Sequence, residues 1–176
     1  MSNSSFLIRI HASIIVLVGS LFFFYGFGLN NIFNVLEPYL SKQYNLTPME
    51  VGLVSSLYFY ANILFLIPAG LLLDRYPPKT IILFAMSICT LGAYMLASPI
   101  FGSGSETGSL SNVIIGRCLM GAGSGFCFSG SMRIAVNWVK PEKMGIASGF
   151  IVTMGMLGGY SVQGPLSGLI TSFGWV

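Results

Sequence analysis

Arg117 stands inside an apolar stretch, in the run Gly116-Arg117-Cys118-Leu119-Met120-Gly121-Ala122-Gly123-Ser124-Gly125. A cation in such a stretch is expensive, and that cost marks it as a functional candidate. Counted from Asn112 at 1.5 Å per residue, Arg117 lies about 7 Å into its helix. Two readings are open at this depth: a side chain snorkelling to the interface, or one lining an aqueous cavity. Asn30, Asn34 and Glu37 recur at i, i+4 and i+7, which places them on one helical face at about 100° per residue. Glu37 sits near the end of its helix at a depth similar to that of Arg117, so the two charges can pair across neighbouring helices. Gln163, beside Gly164-Pro165, is a further polar candidate. Asn30, Asn34, Glu37 and Arg117 are therefore expected to line an aqueous cavity, with Gln163 as a further candidate for its lining.

Catalysis is not expected. The acids have no paired spacing for general acid–base work, and His11, the one histidine, has no carboxylate or nucleophile near it in sequence. Cys89, Cys118 and Cys127 fall inside apolar runs, without the spacing of a metal knuckle or redox pair. They read as small buried apolar residues. No cofactor and no metal are expected.

The elements that must position these residues are membrane helices. The chain is 54 % hydrophobic and 7 % charged, whereas soluble domains carry roughly 25 % charged residues. The net charge is +3, and the basic residues lie in short loops, so no clustered surface for nucleic acid forms. The apolar runs are too long and uniform for outer-membrane strands. The expected architecture is all-α and integral to the membrane. Residues 1–9 form a polar start, and helices follow at about 10–39, 51–73, 81–100, 112–134 and 145–172. The first run exceeds a signal-peptide core and lacks its small-residue ending, so it reads as a retained helix. Asn45-Leu46-Thr47 has a glycosylation pattern but lies too close to the bilayer for that use. The run from Phe101 to Ser111 reads as a flexible Gly-Ser loop.

Orientation follows from the cations. Arg9, Arg75, Lys79, Arg133, Lys140 and Lys143 collect on one side, and Lys42 lies on the other. The positive-inside rule puts the first side, with the N-terminus, in the cytoplasm. The small-xxx-small pairs Gly121/Gly125, Gly145/Gly149, Gly155/Gly159 and Gly164/Gly168 suit close helix approach. With Pro165, they describe a fifth helix built for tight contact and bending.

Three stretches carry a resemblance. Gly70-x-x-x-Asp74-Arg75, ending with Lys79, is similar to the signature between the second and third helices of major facilitator superfamily transporters. Arg117-x-x-x-Gly121-x-Gly123-x-Gly125 is similar to that family's fourth-helix signature. Gly164-Pro165-x-x-Gly168 is similar to part of its fifth-helix motif. Pro77 and Pro78 stand where the pattern usually has Gly and a cation, and Tyr160 where it usually has Gly. The chain thus resembles the N-terminal half of such a transporter, from about Ala12 to its end. The resemblance implies alternating access between two six-helix halves, with substrate bound near the bilayer midplane. It implies a cavity lined by the first and fourth helices, and gating by Gly70, Asp74, Arg75 and Lys79. Its partners would be a small-molecule solute, a coupling proton or other ion, the lipid bilayer, and a C-terminal half. Five helices in place of six read as a chain truncated before the sixth. The expected location is a multi-pass position in a bacterial inner membrane or cell membrane. A non-transporting helical membrane interaction protein is the competing reading.

In a cysteine-free background, a cysteine replacing Lys79 should react with an impermeant maleimide only from the cytoplasmic side, and one replacing Lys42 only from the other. Labelling of both from one side would defeat the assignment.

Overall fold

In hydrocarbon every backbone N–H and C=O must find a partner within the protein, which restricts spanning chains of this composition to helices. The computed structural model has that form, and it describes residues 3–101, 106–166 and 168. The helices are α1 (Asn3–Gln43), α2 (Pro48–Arg75), α3 (Pro78–Phe101), α4 (Glu106–Trp138) and α5 (Met144–Ser161). A 3-10 turn, Pro141–Lys143, leads into α5, and a π-helical turn, Val162–Leu166, follows it. Among the described residues there is no strand. Among the described residues, five stretches are long and apolar enough to cross a membrane: Ser13–Gln43, Pro48–Arg75, Pro78–Ala97, Leu110–Trp138 and Pro141–Pro165.

The helices overrun the apolar runs that define them in sequence. α1 starts at Asn3 and α4 at Glu106, because polar residues at a helix end do not interrupt its hydrogen bonding. Apolarity marks only the part of the helix that needs a hydrocarbon environment. The expected continuation of the fifth helix to Ser172, the ending Phe173-Gly174-Trp175-Val176, and residues 102–105 of the Gly-Ser loop lie outside the described residues.

Local chemistry sets the turns. Asn45 has a φ of 49°, a left-handed conformation that Asn tolerates better than most residues. Thr47 caps α2: its hydroxyl accepts from the Glu50 N–H at 3.4 Å, while a Glu50 carboxylate oxygen accepts from the Thr47 N–H at 2.8 Å. This reciprocal pair satisfies two donors that the helix start would leave free. Thr47 is thus a structural cap. α2 ends at Tyr76, extended at φ −118° and ψ 156°, as the residue before a proline prefers. Pro78 then opens α3, where its missing N–H costs nothing.

Tertiary contacts give each helix a direction. α4 is central, with 67 % of its most apolar window buried, and it packs against α1, α2 and α3, while α5 packs on α1. Arg117 meets Ser55, Gly121 meets Tyr58 and Ser124 meets Asn62, so α2 and α4 run parallel. Gly116 meets Gly92 while Gly123 meets Ala85, so α3 is antiparallel to α4. Phe23 meets Gly155 and Asn31 meets Gly159, so α1 and α5 are parallel. The chain therefore passes up and down in sequence order.

Four glycines let α4 sit in the middle. A methyl group on Gly116 would lie 2.7 Å from the Gly92 carbonyl oxygen, and one on Gly92 would lie 2.8 Å from that of Gly116. On Gly123 it would lie 2.8 Å from the Ala85 carbonyl oxygen, and on Gly125 3.0 Å from that of Asn62. On Gly121 it would overlap the Tyr58 carbonyl oxygen. In α5, Gly155 abuts the Phe23 ring, and Gly159 leaves room for the Asn31 amide. Around Gly145, Gly149, Gly164 and Gly168, by contrast, no described atom lies within 4 Å of the place a methyl would take. Spacing alone does not distinguish these two groups, because it does not say which helical face meets a neighbour.

Gly121→Ala should therefore destabilise the purified protein by about 1–3 kcal/mol through overpacking. Gly149→Ala should be neutral or stabilising by up to about 1 kcal/mol through helix propensity. Detergent unfolding followed by circular dichroism compares the two, and equal effects would contradict this packing.

Candidate functional site

The site begins with Arg117, one helical turn before Gly121. Close approach of α2 and α4 at Gly121 draws the guanidinium between those helices and α1. The residue is 1 % exposed, which rules out snorkelling here. Its Nη2 donates to the Ser55 carbonyl at 3.1 Å. Its guanidinium carbon lies 4.3 Å from the centre of the Phe33 ring and 4.8 Å from that of Tyr58. Cation–π contacts of this kind contribute roughly 0.5–2 kcal/mol each, most when water is absent. Nε and Nη1 are buried without any hydrogen-bond partner. Arg117 is thus held in place through one nitrogen and its faces, with the N–H groups on its other two nitrogens unused.

Glu37 does not meet it. Glu37 is exposed, and it borders a groove that Phe33, Leu40, Val51, Val54 and Val113 also line. Phe33, one turn earlier on α1, covers the guanidinium and keeps the two charges apart. Tyr44 lines the same groove, with its hydroxyl buried and unpartnered. That burial pushes its phenol pKa above the usual value.

Asn30 is half-buried and Asn34 exposed. With Asn30 taken as zero, Phe33 lies at about −60° and Asn31 at about +100° around α1. The Asn30–Asn34–Glu37 stripe is therefore the open strip between two packed seams. Arg117 and Phe33 belong to the seam with α2 and α4. The other seam holds Asn31, which is 8 % exposed and which the period-based reading passes over, because it falls one residue off the stripe. Its Nδ2 donates to the Phe27 carbonyl at 2.8 Å, and its Oδ1 accepts from Asn34 at 3.4 Å and from Gln163 of the π-helical turn. The structure thus joins Gln163 to Asn31 and Asn34, and leaves Arg117 on the opposite side of α1. The tandem Asn30-Asn31 was the available signal, since it puts amides on two faces at once.

The hairpin residues gather at the other end. Asp74 pairs with Arg133 of α4 at 3.3 Å, both partly exposed. Arg133 was assigned only to topology by its sequence. Arg75 and Lys79 are exposed, and Gly70 has no described atom within 4 Å of a methyl position.

Among the described residues, five helices are long and apolar enough to span a membrane, and α1, α2 and α4 enclose an arginine with two unpartnered nitrogens. The sequence model of the Major Facilitator Superfamily matches residues 18–176. The chain belongs to this superfamily. It is a multi-pass membrane protein of a transporter family, not an enzyme. It is 33 % identical over 135 residues to an efflux pump of Hypomyces subiculosus, covering 74 % of this chain and 21 % of that protein. It is 27 % identical over 129 residues to the L-fucose-proton symporter of Escherichia coli, covering 73 % and 28 %. It is 30 % identical over 143 residues to a nitrite extrusion protein of Bacillus subtilis, covering 80 % and 34 %. The chain thus spans about a fifth to a third of the length of these curated relatives. No solved structure matches it.

Within this superfamily member, the Asp74–Arg133 pair is exposed enough to be weak. A double-mutant cycle of Asp74→Asn and Arg133→Gln should return a coupling below about 1 kcal/mol in thermal unfolding. A coupling of several kcal/mol would make the pair a structural tie rather than a contact that opens easily.

Proposed function

We propose that the chain forms part of one helical half of a secondary active transporter, which carries a small solute by alternating access with a coupling ion. A second helical bundle would complete the cavity. The observation that carries this reading is the open stripe of Asn30, Asn34 and Glu37 on α1. It starts near the middle of the Ser13–Gln43 span. Facing lipid, such a polar stripe would be desolvated, at a cost that is greatest for the residues nearest the middle of the membrane. Facing a water-filled space between two bundles, it costs little. The stretch of α1 from Ile14 to Leu21 shows the contrast, since its exposed residues are Ile14, Leu17, Val18 and Leu21.

Relatives named for L-fucose–proton symport and for nitrite extrusion support a small polar solute and, in the first, a proton as coupling ion. In this reading Asn30, Asn34, Glu37 and Gln163 line the path with Arg117 behind Phe33, and Gly70, Asp74, Arg75 and Lys79 belong to the cytoplasmic gate. The opposed helix directions support that orientation, because they bring the hairpin and the α4–α5 turn to one end with most of the cations. Asp74–Arg133 joins two helices at that end and breaks at low cost, as a gate contact must.

The test is solute flux by the full-length protein in proteoliposomes. Arg117→Ala is expected to lower flux at least about tenfold while membrane insertion, read by protease protection, is unchanged. Undiminished flux in a correctly inserted variant would remove Arg117 from the pathway.

A further inference from the structure

Where α1 lies against α5, two rows of matching period meet. Phe23, Phe27 and Asn31 recur every fourth residue on α1, and Gly155, Gly159 and Gln163 do so on α5. The Phe23 ring takes the space at Gly155, and Phe27 and Asn31 take that at Gly159. A methyl on Gly158 would overlap the Phe24 carbonyl oxygen, so the two backbones run in contact here. One turn further, Gln163 stands in the π-helical turn Val162–Leu166 and meets Asn31. Such wide turns recur at functional sites. The Phe27 carbonyl then decides how three carboxamides are oriented. It can only accept, so the atom that Asn31 turns to it at 2.8 Å is Nδ2. Oδ1 of Asn31, also an acceptor only, therefore faces N–H groups of Asn34 and Gln163. That leaves the carboxamide oxygens of Asn34 and Gln163 over, and among the described residues neither has a hydrogen-bond partner. Both side chains are exposed, and each keeps a second N–H. Joining α1 to α5 needs only Asn31 and Gln163. The third amide and the two unpaired oxygens exceed that need.

We propose, resting on the transport reading above, that this amide cluster binds a neutral solute with hydroxyls on adjacent carbons. A hydroxyl both donates and accepts, so it can give its hydrogen to a carboxamide oxygen and take an N–H in return. Asn34 and Gln163 converge on one oxygen atom, so their carboxamides lie side by side and adjacent hydroxyls reach both. A carboxylate only accepts and would leave the two oxygens unpaired. Glu37, one turn beyond Asn34 on the same open strip, would also repel it. An ammonium only donates and would leave the N–H groups unpaired. Asn31 is a positioning residue, which holds the two outer amides in the orientation that the Phe27 carbonyl dictates.

Equilibrium binding to the reconstituted full-length protein tests this with radiolabelled hexitols (D-glucitol, D-mannitol and galactitol), 1,6-hexanediol and hexanoate. The diol has the same number of carbons as a hexitol but no adjacent hydroxyls. At least one hexitol should bind at least about tenfold more tightly than the diol and hexanoate. Asn34→Leu and Gln163→Leu, both at exposed positions, should each weaken hexitol binding about tenfold. If Gln163→Leu disturbs the contact of α1 with α5, Asn34→Leu still decides, because the Asn34 side chain bonds within α1. Hexitol binding unchanged in Asn34→Leu, diol or hexanoate binding as tight as that of the hexitols, or no hexitol binding overturns the proposal. Flux of some other solute with no hexitol binding leaves the transport reading standing. Absence of flux for every solute by a folded, inserted protein is the failure of that reading instead.

Discussion

α4 occupies the middle of the bundle because its backbone meets those of α2 and α3 without side chains between them. Gly116 against Gly92, Gly121 against Tyr58, Gly123 against Ala85 and Gly125 against Asn62 leave no space for a methyl group. Lipid is as apolar as leucine, so burying apolar surface does not by itself hold membrane helices together; close van der Waals contact does. The same contacts also fix Arg117. Its helix cannot turn or retreat without clashes at Gly116 and Gly121, so the guanidinium stays between Phe33, Tyr58 and Ser55.

Polar side chains complete these seams. Ser131 donates across to the Gly19 carbonyl at 2.8 Å, Asn62 to the Ser124 hydroxyl at 2.9 Å, and the Tyr58 hydroxyl to the Gly26 carbonyl at 3.4 Å. Such bonds between membrane helices average about 0.6 kcal/mol, so they align helices that packing already holds. Cys89 and Cys127 are buried in the same seams; a methyl on Gly123 would lie 2.5 Å from the Cys89 sulfur. They act as small space-filling residues. Against these paired groups, Nε and Nη1 of Arg117 and the Tyr44 hydroxyl are buried without a hydrogen-bond partner among the described residues.

Much of this was legible in the chain. Low charge and five long apolar runs leave helices as the only way to satisfy the backbone in hydrocarbon, and the family motifs at Asp74-Arg75 and Arg117 are local in sequence. The polar stripe of Asn30, Asn34 and Glu37 was legible too, since helical period is a property of one helix. Asn31 was not. It falls outside that period, and its importance comes from Gln163, 132 residues away. The partner of Asp74 was hidden for the same reason, because α2 and α4 are neighbours only in the folded bundle.

By itself, then, the sequence determined what each segment must be: a helix, spanning, with a given face polar and a given end basic. Those are consequences of composition and of a 3.6-residue period, which act within one segment. Tertiary structure alone decided which faces meet. It buried Arg117 beneath Phe33 and kept it from Glu37. It made Gly121 a contact and left Gly149 open, although both belong to the same spacing pattern. The physical reason is that a side chain's cost and use in a membrane depend on whether lipid, water or another backbone lies opposite. That surrounding is supplied by residues far away in the chain.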